Sequence, residues 1–342
     1  MTSYAEAALA FARDHAGTAP RALEFDLPGV KLAVNVMSAG YERSLGTSLI
    51  NDPRYGNAAQ TKLKVTVADR QTHPDLPMPP PAGEDVAAAM KQAAGGSANY
   101  VTYQPDFEQW QFFDPATGFG VQAMQRPDSY PPWEDSFPLV QFLHWTAMAQ
   151  GRRIIHAAAL GFGGRGVVIS GNSGAGKSGT TLAGLLGGLD SIGDDYVLLD
   201  IGQDRVRAFP MTRIMKQDAR GLRRNGLSPD DRRFVGPNWQ GKYELYLAEL
   251  MGHAIPEFLD LAAIILPRIG GEGAARLVPV ASRDAMMALL PSNLVQLPGG
   301  RRFGVEFLAD FSRRLPAYRL ELGADPSSVT AVIADLIEKG RA

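Results

Sequence analysis

Apolar and polar positions alternate along the first third of the chain. In residues 30–38, "VKLAVNVMS", and 61–69, "TKLKVTVAD", branched apolar residues recur at every second position, which predicts half-buried strands. Three shorter stretches continue the pattern, "NYVTYQ" (99–104), "QWQFFD" (109–114) and "FGVQAMQ" (119–125). Pro115-Ala116-Thr117-Gly118 joins the last two as a hairpin connection. Helical spacing marks the N-terminal "MTSYAEAALAFARDHAG" and "EDVAAAMKQAA" (84–94), which stops at Gly95-Gly96. The prolines of "THPDLPMPPPAGED" (72–85) remove backbone donors and fix extended geometry, so this segment is expected as a loop. Residues 1–133 thus read as an α+β accessory domain.

A second run of punctuation, "QRPDSYPPWED", precedes the helical "SFPLVQFLHWTAMAQ" (136–150) and sets a domain boundary at 133/134. From there the pattern is α/β. "RIIHAAAL" (153–160) predicts a strand, "GFGGRG" a turn, "VVIS" a second strand, and "KSGTTLAGLLGG" (177–188) a helix. "SIGDD" and "YVLLDI" follow, then a turn at 202–204 and the strand "RVRAF". "LAAIILPRI" (261–269) is a continuous apolar run, the mark of a fully buried strand. Ser282 is the expected N-cap of the helix "SRDAMMALL", and Asp325 that of a last helix with Pro326 in its first position.

The formal net charge of −2 over 342 residues excludes a nucleic-acid groove or a general anionic-membrane surface. The arginine pairs, such as Arg223-Arg224 and Arg232-Arg233, read as solvated faces. Without cysteine there is no disulfide framework, thiolate nucleophile or cysteine-based zinc site. Glu6, Arg13 and Asp14 interrupt the apolar pattern of the N-terminus, so a secretory signal is not expected, and no apolar run reaches membrane-spanning length. A cytoplasmic protein is the expectation.

Candidate chemistry centres on Gly171–Ser178, "GNSGAGKS", which satisfies G-x-x-x-x-G-K-[ST] between a predicted strand and a predicted helix. Gly171, Gly174 and Gly176 let the backbone bend around phosphates. Asn172, Ser173, Ala175 and Gly179 complete the cradle, whose N–H groups join the helix N-terminus as an anion nest. Lys177 supplies a point charge to the outer phosphates and Ser178 a hydroxyl for Mg²⁺. ATP with Mg²⁺ is the expected ligand.

Two sources of a carboxylate compete. Asp200 ends an apolar strand, but a turn follows at once, so it is expected at a hairpin tip. "SIGDD" follows the cradle helix as a parallel strand should after a crossover, which brings Asp194 and Asp195 to the phosphate edge. Alternation of side chains gives the two different jobs, one toward the metal and one toward an acceptor hydroxyl. His156 lies on a strand expected to pair with the one feeding the cradle, where it can tune an aspartate. The other histidines lack metal-ligand spacing. Lys216 and Lys242 are weighed as further phosphate contacts and expected at the surface.

His156, the glycine hairpin, "GNSGAGKS" and "GDD" together resemble HPr kinase/phosphorylase and the wider group of HPr-kinase-like serine kinases, which includes lasso-peptide precursor kinases. The resemblance covers residues 150–200, and more loosely the tail from "PVASRDAMMALL" onward. It implies a P-loop domain over 134–342, akin to phosphoenolpyruvate carboxykinase, that phosphorylates a serine of a peptide or protein. It implies Asp194 as the base, His156 as its support, Lys177 on the phosphates and Ser178 with Asp195 on the metal side; homo-oligomeric assembly is compatible with it. Two departures stand out. Gly179 occupies the place of the family's Glu, and "GKYELYLAEL" does not match the family's "EIRGLGI"-like signature, which weakens HPr as the acceptor and the reverse reaction with it. A nucleotide-dependent switch or ATPase, and a kinase of a small hydroxylated metabolite, are the competing functions. Asp190–Gly193 matches the D-x-x-G of GTPases, but no Asn-Lys-x-Asp follows to read guanine.

Overall fold

The computed structural model describes residues 2–17, 21–56, 60–270, 273–297, 300–323 and 325–340. The chain divides into two compact units, Met1–Gln150 and Gly151–Ala342, and the class is mixed α/β.

The first unit opens with α1 (Tyr4–Asp14), whose start is fixed by a capping box: Ser3 accepts from the Glu6 N–H while the Glu6 carboxylate accepts from the Ser3 N–H. Then come β1 (Arg21–Leu27), β2 (Val30–Val36), α2 (Glu42–Ser48), β3 (Thr61–Asp69), α3 (Val86–Ala94), β4 (Tyr100–Gln104), β5 (Gln109–Asp114), β6 (Phe119–Met124) and α4 (Val140–Ala149). One mixed sheet, in the order β1-β2-β3-β6-β5-β4, carries the unit. Alternation along β5 decides its two faces. Trp110 and Phe112 join Ala5, Ala8 and Leu9 of α1 in one core cluster, while Phe113 stacks on Trp145 of α4. α4 therefore belongs to this unit, and the boundary lies at 150/151, not at 133/134. The physical reason is packing: the Phe142 ring fills the space over Gly120, where a Cβ would come within 2.6 Å of it. Residues 72–85 carry no helix or strand, as their prolines predict.

The second unit begins with β7 (Arg153–His156), β8 (Ala158–Phe162), β9 (Arg165–Ile169), α5 (Lys177–Leu186), β10 (Asp190–Gly193), β11 (Tyr196–Ile201) and β12 (Val206–Pro210). A ribbon of β13 (Ile214–Asp218) and β14 (Lys242–Tyr246) follows, with α6 (Ala219–Arg224) between its strands and α7 (Leu247–Met251) after it. The rest is β15 (Leu259–Ile269), β16 (Arg276–Val280), α8 (Ser282–Val295), α9 (Arg301–Arg314), β17 (Ala317–Leu322) and α10 (Ser327–Lys339). The apolar run 261–269, expected to be fully buried, forms all of β15 beyond its first two residues; it is buried or half-buried up to Pro267, while Arg268 and Ile269 are exposed, and β15 pairs with β9, β12 and β17. Two caps differ from the sequence expectation. Ser282 is the first helical residue of α8, with Ala281 in the cap position, and α10 starts at Ser327 with Pro326 in the cap position, one residue later than expected, while Asp325 Oδ1 accepts from the Ser327 N–H.

The pairing order β10-β8-β9-β15-β12-β11-β7 explains how the site forms. In a flat sheet β10 and β11 would lie about 24 Å apart, five strand spacings. Only Asp194 and Asp195 join them, and the three Cα steps from Gly193 to Tyr196 reach at most about 11 Å. The sheet therefore curls until its pairing closes: Arg153–Phe162 runs antiparallel along Asp190–Ile201, with Gly193 opposite Ala159 and Tyr196 opposite His156. The two aspartates occupy the break in that pairing.

Candidate active site

β9 ends at Ile169, which lies opposite Ala158 of β8, and on the other side of β8 the neighbouring Ala159 faces Gly193. Register thus sets Asp194 and Asp195 level with the point where β9 gives way to the glycine-rich loop. β10 runs in the same direction as β9, as the crossover argument requires, but β8 lies between them and β15 is the parallel neighbour of β9. His156 reaches the same place by a route other than the expected one. "RIIHAAAL" is interrupted at Ala157; only its second part, β8, pairs with the strand feeding the cradle, whereas His156 ends β7 and pairs with Tyr196.

The loop from Ser170 to Gly176 connects β9 to α5. Its three glycines have backbone angles of 155° (Gly171), 79° (Gly174) and 107° (Gly176), each in a region that an L side chain resists. Gly179 differs: a Cβ there would meet nothing nearer than the Gln217 amide at 3.9 Å, so neither space nor backbone angle demands glycine. Asn172 and Ser173 are exposed, Ala175 and Ser178 half-buried. The first-turn N–H groups of α5 have no intrahelical acceptor and are free to serve an anion. Lys177 is buried and its ammonium donates to the Gly171 carbonyl at 2.8 Å. Burial lowers its affinity for the proton, and the Asp195 and Asp194 charges oppose that effect.

Asp194 is fully buried. Its Oδ2 accepts from the Lys216 backbone N–H at 3.4 Å, and its Oδ1 has no hydrogen-bond partner. Burial first, and then the Asp195 charge, raise this carboxyl to about 6; the nearby Ser178 hydroxyl and Lys216 offset part of the rise. Asp195 is partly open to solvent. Its Oδ2 takes the Lys216 ammonium at 2.6 Å, and its Oδ1 lies 3.9 Å from His156 Nε2. Burial acts to raise Asp195 as well, but Lys216 and then His156 outweigh it and hold the carboxyl well below the usual carboxylate range. The contacts thus cross the expected ones: Ser178 lies by Asp194 and His156 by Asp195, whereas the resemblance implied Ser178 with Asp195 and His156 with Asp194.

Lys216, expected at the surface, is 13 % exposed and belongs to the cluster; Asp195 raises its affinity for the proton against the effect of burial. Lys242, at the start of β14, lies near enough to Lys177 for their charges to repel. Asn293 gave no sequence signal. It is fully buried on α8, its Oδ1 accepts from the His156 backbone N–H at 2.6 Å, and its own carbonyl accepts from Arg153 at 2.9 Å. Asp200 sits at the far end of β11 beside the hairpin turn, paired with Arg152 at 2.8 Å, as its sequence context predicts.

The cluster therefore combines Lys177, Lys216 and Lys242 with Asp194, Asp195 and a histidine, and Glu244, opposite Lys216 on β14, adds a third carboxylate charge close to Lys216. Its fit to Mg²⁺ rests on the buried Asp194 carboxylate, whose Oδ1 has no hydrogen-bond partner, and the nearby half-buried Ser178 hydroxyl, two hard oxygen donors. Among the described residues no group of three or more His, Asp or Glu side chains gathers as a metal cage. A cation at this point would complete its shell with phosphate oxygens and water. Among the described residues, too, no helix is long and apolar enough to cross a membrane. The sequence matches no protein-family model, and no curated protein matches it.

Proposed function

We propose that the second unit is an ATP- and Mg²⁺-dependent kinase that transfers the terminal phosphate to a hydroxyl, that of a serine in a peptide or protein. The observation that carries this reading is the convergence of a glycine-cradled Lys177-Ser178 with Asp194 and Asp195 at one level of one sheet. Phosphoryl transfer asks a protein for positioning, charge neutralisation and a proton acceptor, and the cluster contains a group for each.

In this reading the loop N–H groups and Lys177 hold the phosphates. Ser178 and Asp194 would hold Mg²⁺, which when bound neutralises charge on the outer phosphate oxygens. Asp195, the carboxylate partly open to solvent, accepts the proton of the acceptor hydroxyl, whose oxygen forms the new bond to phosphorus as the bond to the β-phosphate oxygen breaks and ADP leaves. His156 stands 3.9 Å from Asp195 Oδ1 and acts on it through charge, and Asn293 anchors the His156 backbone. These roles exchange Asp194 and Asp195 relative to the family resemblance. The reading remains that of an HPr-kinase-like protein kinase acting in the cytoplasm.

The test is incubation with γ-labelled ATP, Mg²⁺ and a cell extract or serine-containing peptide pool, followed by phosphoamino-acid analysis. Label in phosphoserine, lost in Lys177→Ala, is expected. Binding of ATP with label passed only to water would favour the switch or ATPase reading.

A further inference from the structure

We propose that Lys216 recognises the terminal phosphate, exchanging Asp195 for it, so that Asp195 is released to an acceptor hydroxyl only when a nucleoside triphosphate is in place. The inference rests on the nucleotide reading above. Lys216 touches both aspartates: its backbone N–H reaches Asp194 Oδ2 and its ammonium reaches Asp195 Oδ2. Its backbone is fixed, because Ile214, Met215 and Gln217 around it on β13 are buried and the strand is paired in register with β14. The other cradle ammonium, Lys177, lies back on the loop at the Gly171 carbonyl, where it serves the phosphates the loop encloses. Lys216 instead stands at the carboxylates beyond the cradle, where a nucleotide's last phosphate meets its acceptor.

An ammonium is a compact charge with three donors and prefers a doubly charged phosphate to a single carboxylate. The two oxygens of Asp195 face different groups: Oδ1 lies 3.9 Å from His156, beyond ordinary hydrogen-bond distance, whereas Oδ2 takes the Lys216 ammonium at 2.6 Å. Moving Lys216 to phosphate leaves that oxygen free to accept from a hydroxyl. A diphosphate, which lacks the last phosphate, leaves the pair closed.

Isothermal titration of the full chain with the non-hydrolysable ATP analogue AMP-PNP and with ADP, both with Mg²⁺, tests this. Lys216→Met is expected to weaken AMP-PNP by about 10- to 100-fold, the value of a charge-assisted hydrogen bond, and to change ADP by less than about twofold. Lys216→Arg keeps the preference, and Lys216→Gln serves if the methionine variant does not fold. Equal loss of both ligands, or no loss of either, overturns the assignment of Lys216 while leaving the nucleotide site standing. Wild type binding neither ligand overturns the nucleotide reading itself and this inference with it.

Discussion

Asp194 is the residue whose surroundings say most about charge in the site. It is buried without a full set of partners, and its carboxyl is raised by burial and by Asp195. A carboxyl that holds its proton more tightly in the folded chain makes the folded state lose stability as pH rises between the unfolded value and the folded one, about 6 here. Above that window the cost of the buried charge is fully present. Asp194→Asn is therefore expected to raise the thermal midpoint by several degrees at about pH 8 and by much less at about pH 4. Scanning calorimetry at the two pH values checks it; an equal shift at both would place the effect elsewhere. Asp200→Asn, by contrast, breaks a half-exposed pair with Arg152 worth about 1 kcal/mol or less and leaves nucleotide binding unchanged. The strand, glycine-rich loop and helix that carry Lys177 and Ser178 were legible, because the positive backbone angles of Gly171, Gly174 and Gly176 and the helix start are written in one contiguous stretch. Lys216 and Asn293 were not, since their partners lie 21 and 137 positions away in sequence and nothing local marks a lysine or an asparagine as buried.

Elements were legible where one face is buried and one is not. β3, β5 and β11 occupy the expected stretches, because alternation or a clean apolar run with a turn at each end admits one reading. The split of "RIIHAAAL" into β7 and β8 was not legible, since it follows from closure of the sheet, a property of the seven strands from β10 to β7 together. The placement of α4 was missed for a related reason: prolines before a helix mark a bend, not the unit against which the helix packs. Gly120→Ala is expected to force Phe142 out of its place and destabilise the first unit by about 1–3 kcal/mol, seen as a lower denaturation midpoint for that unit. Asn293→Ala frees the end of β7 and leaves the His156 N–H without its acceptor, a cost of about 1–3 kcal/mol. Its effect on transfer should exceed its effect on ATP affinity, because His156 stands at Asp195 and not at the cradle.

At the scale of the whole molecule, every residue of the candidate site belongs to the unit Gly151–Ala342. That unit expressed alone is expected to bind ATP within about threefold of the full chain. The sequence of the first unit contains no motif that assigns it a chemistry.

In the proposed kinase, nucleotide binding and phosphate transfer are carried by different side chains of one cluster. The most direct measurement compares ATP affinity and phosphoserine formation in Asp195→Asn, which removes the proton acceptor and keeps the cradle. Affinity within about threefold of wild type, with transfer reduced by about 100-fold or more, is the predicted result. Unchanged transfer in the presence of normal binding would contradict it.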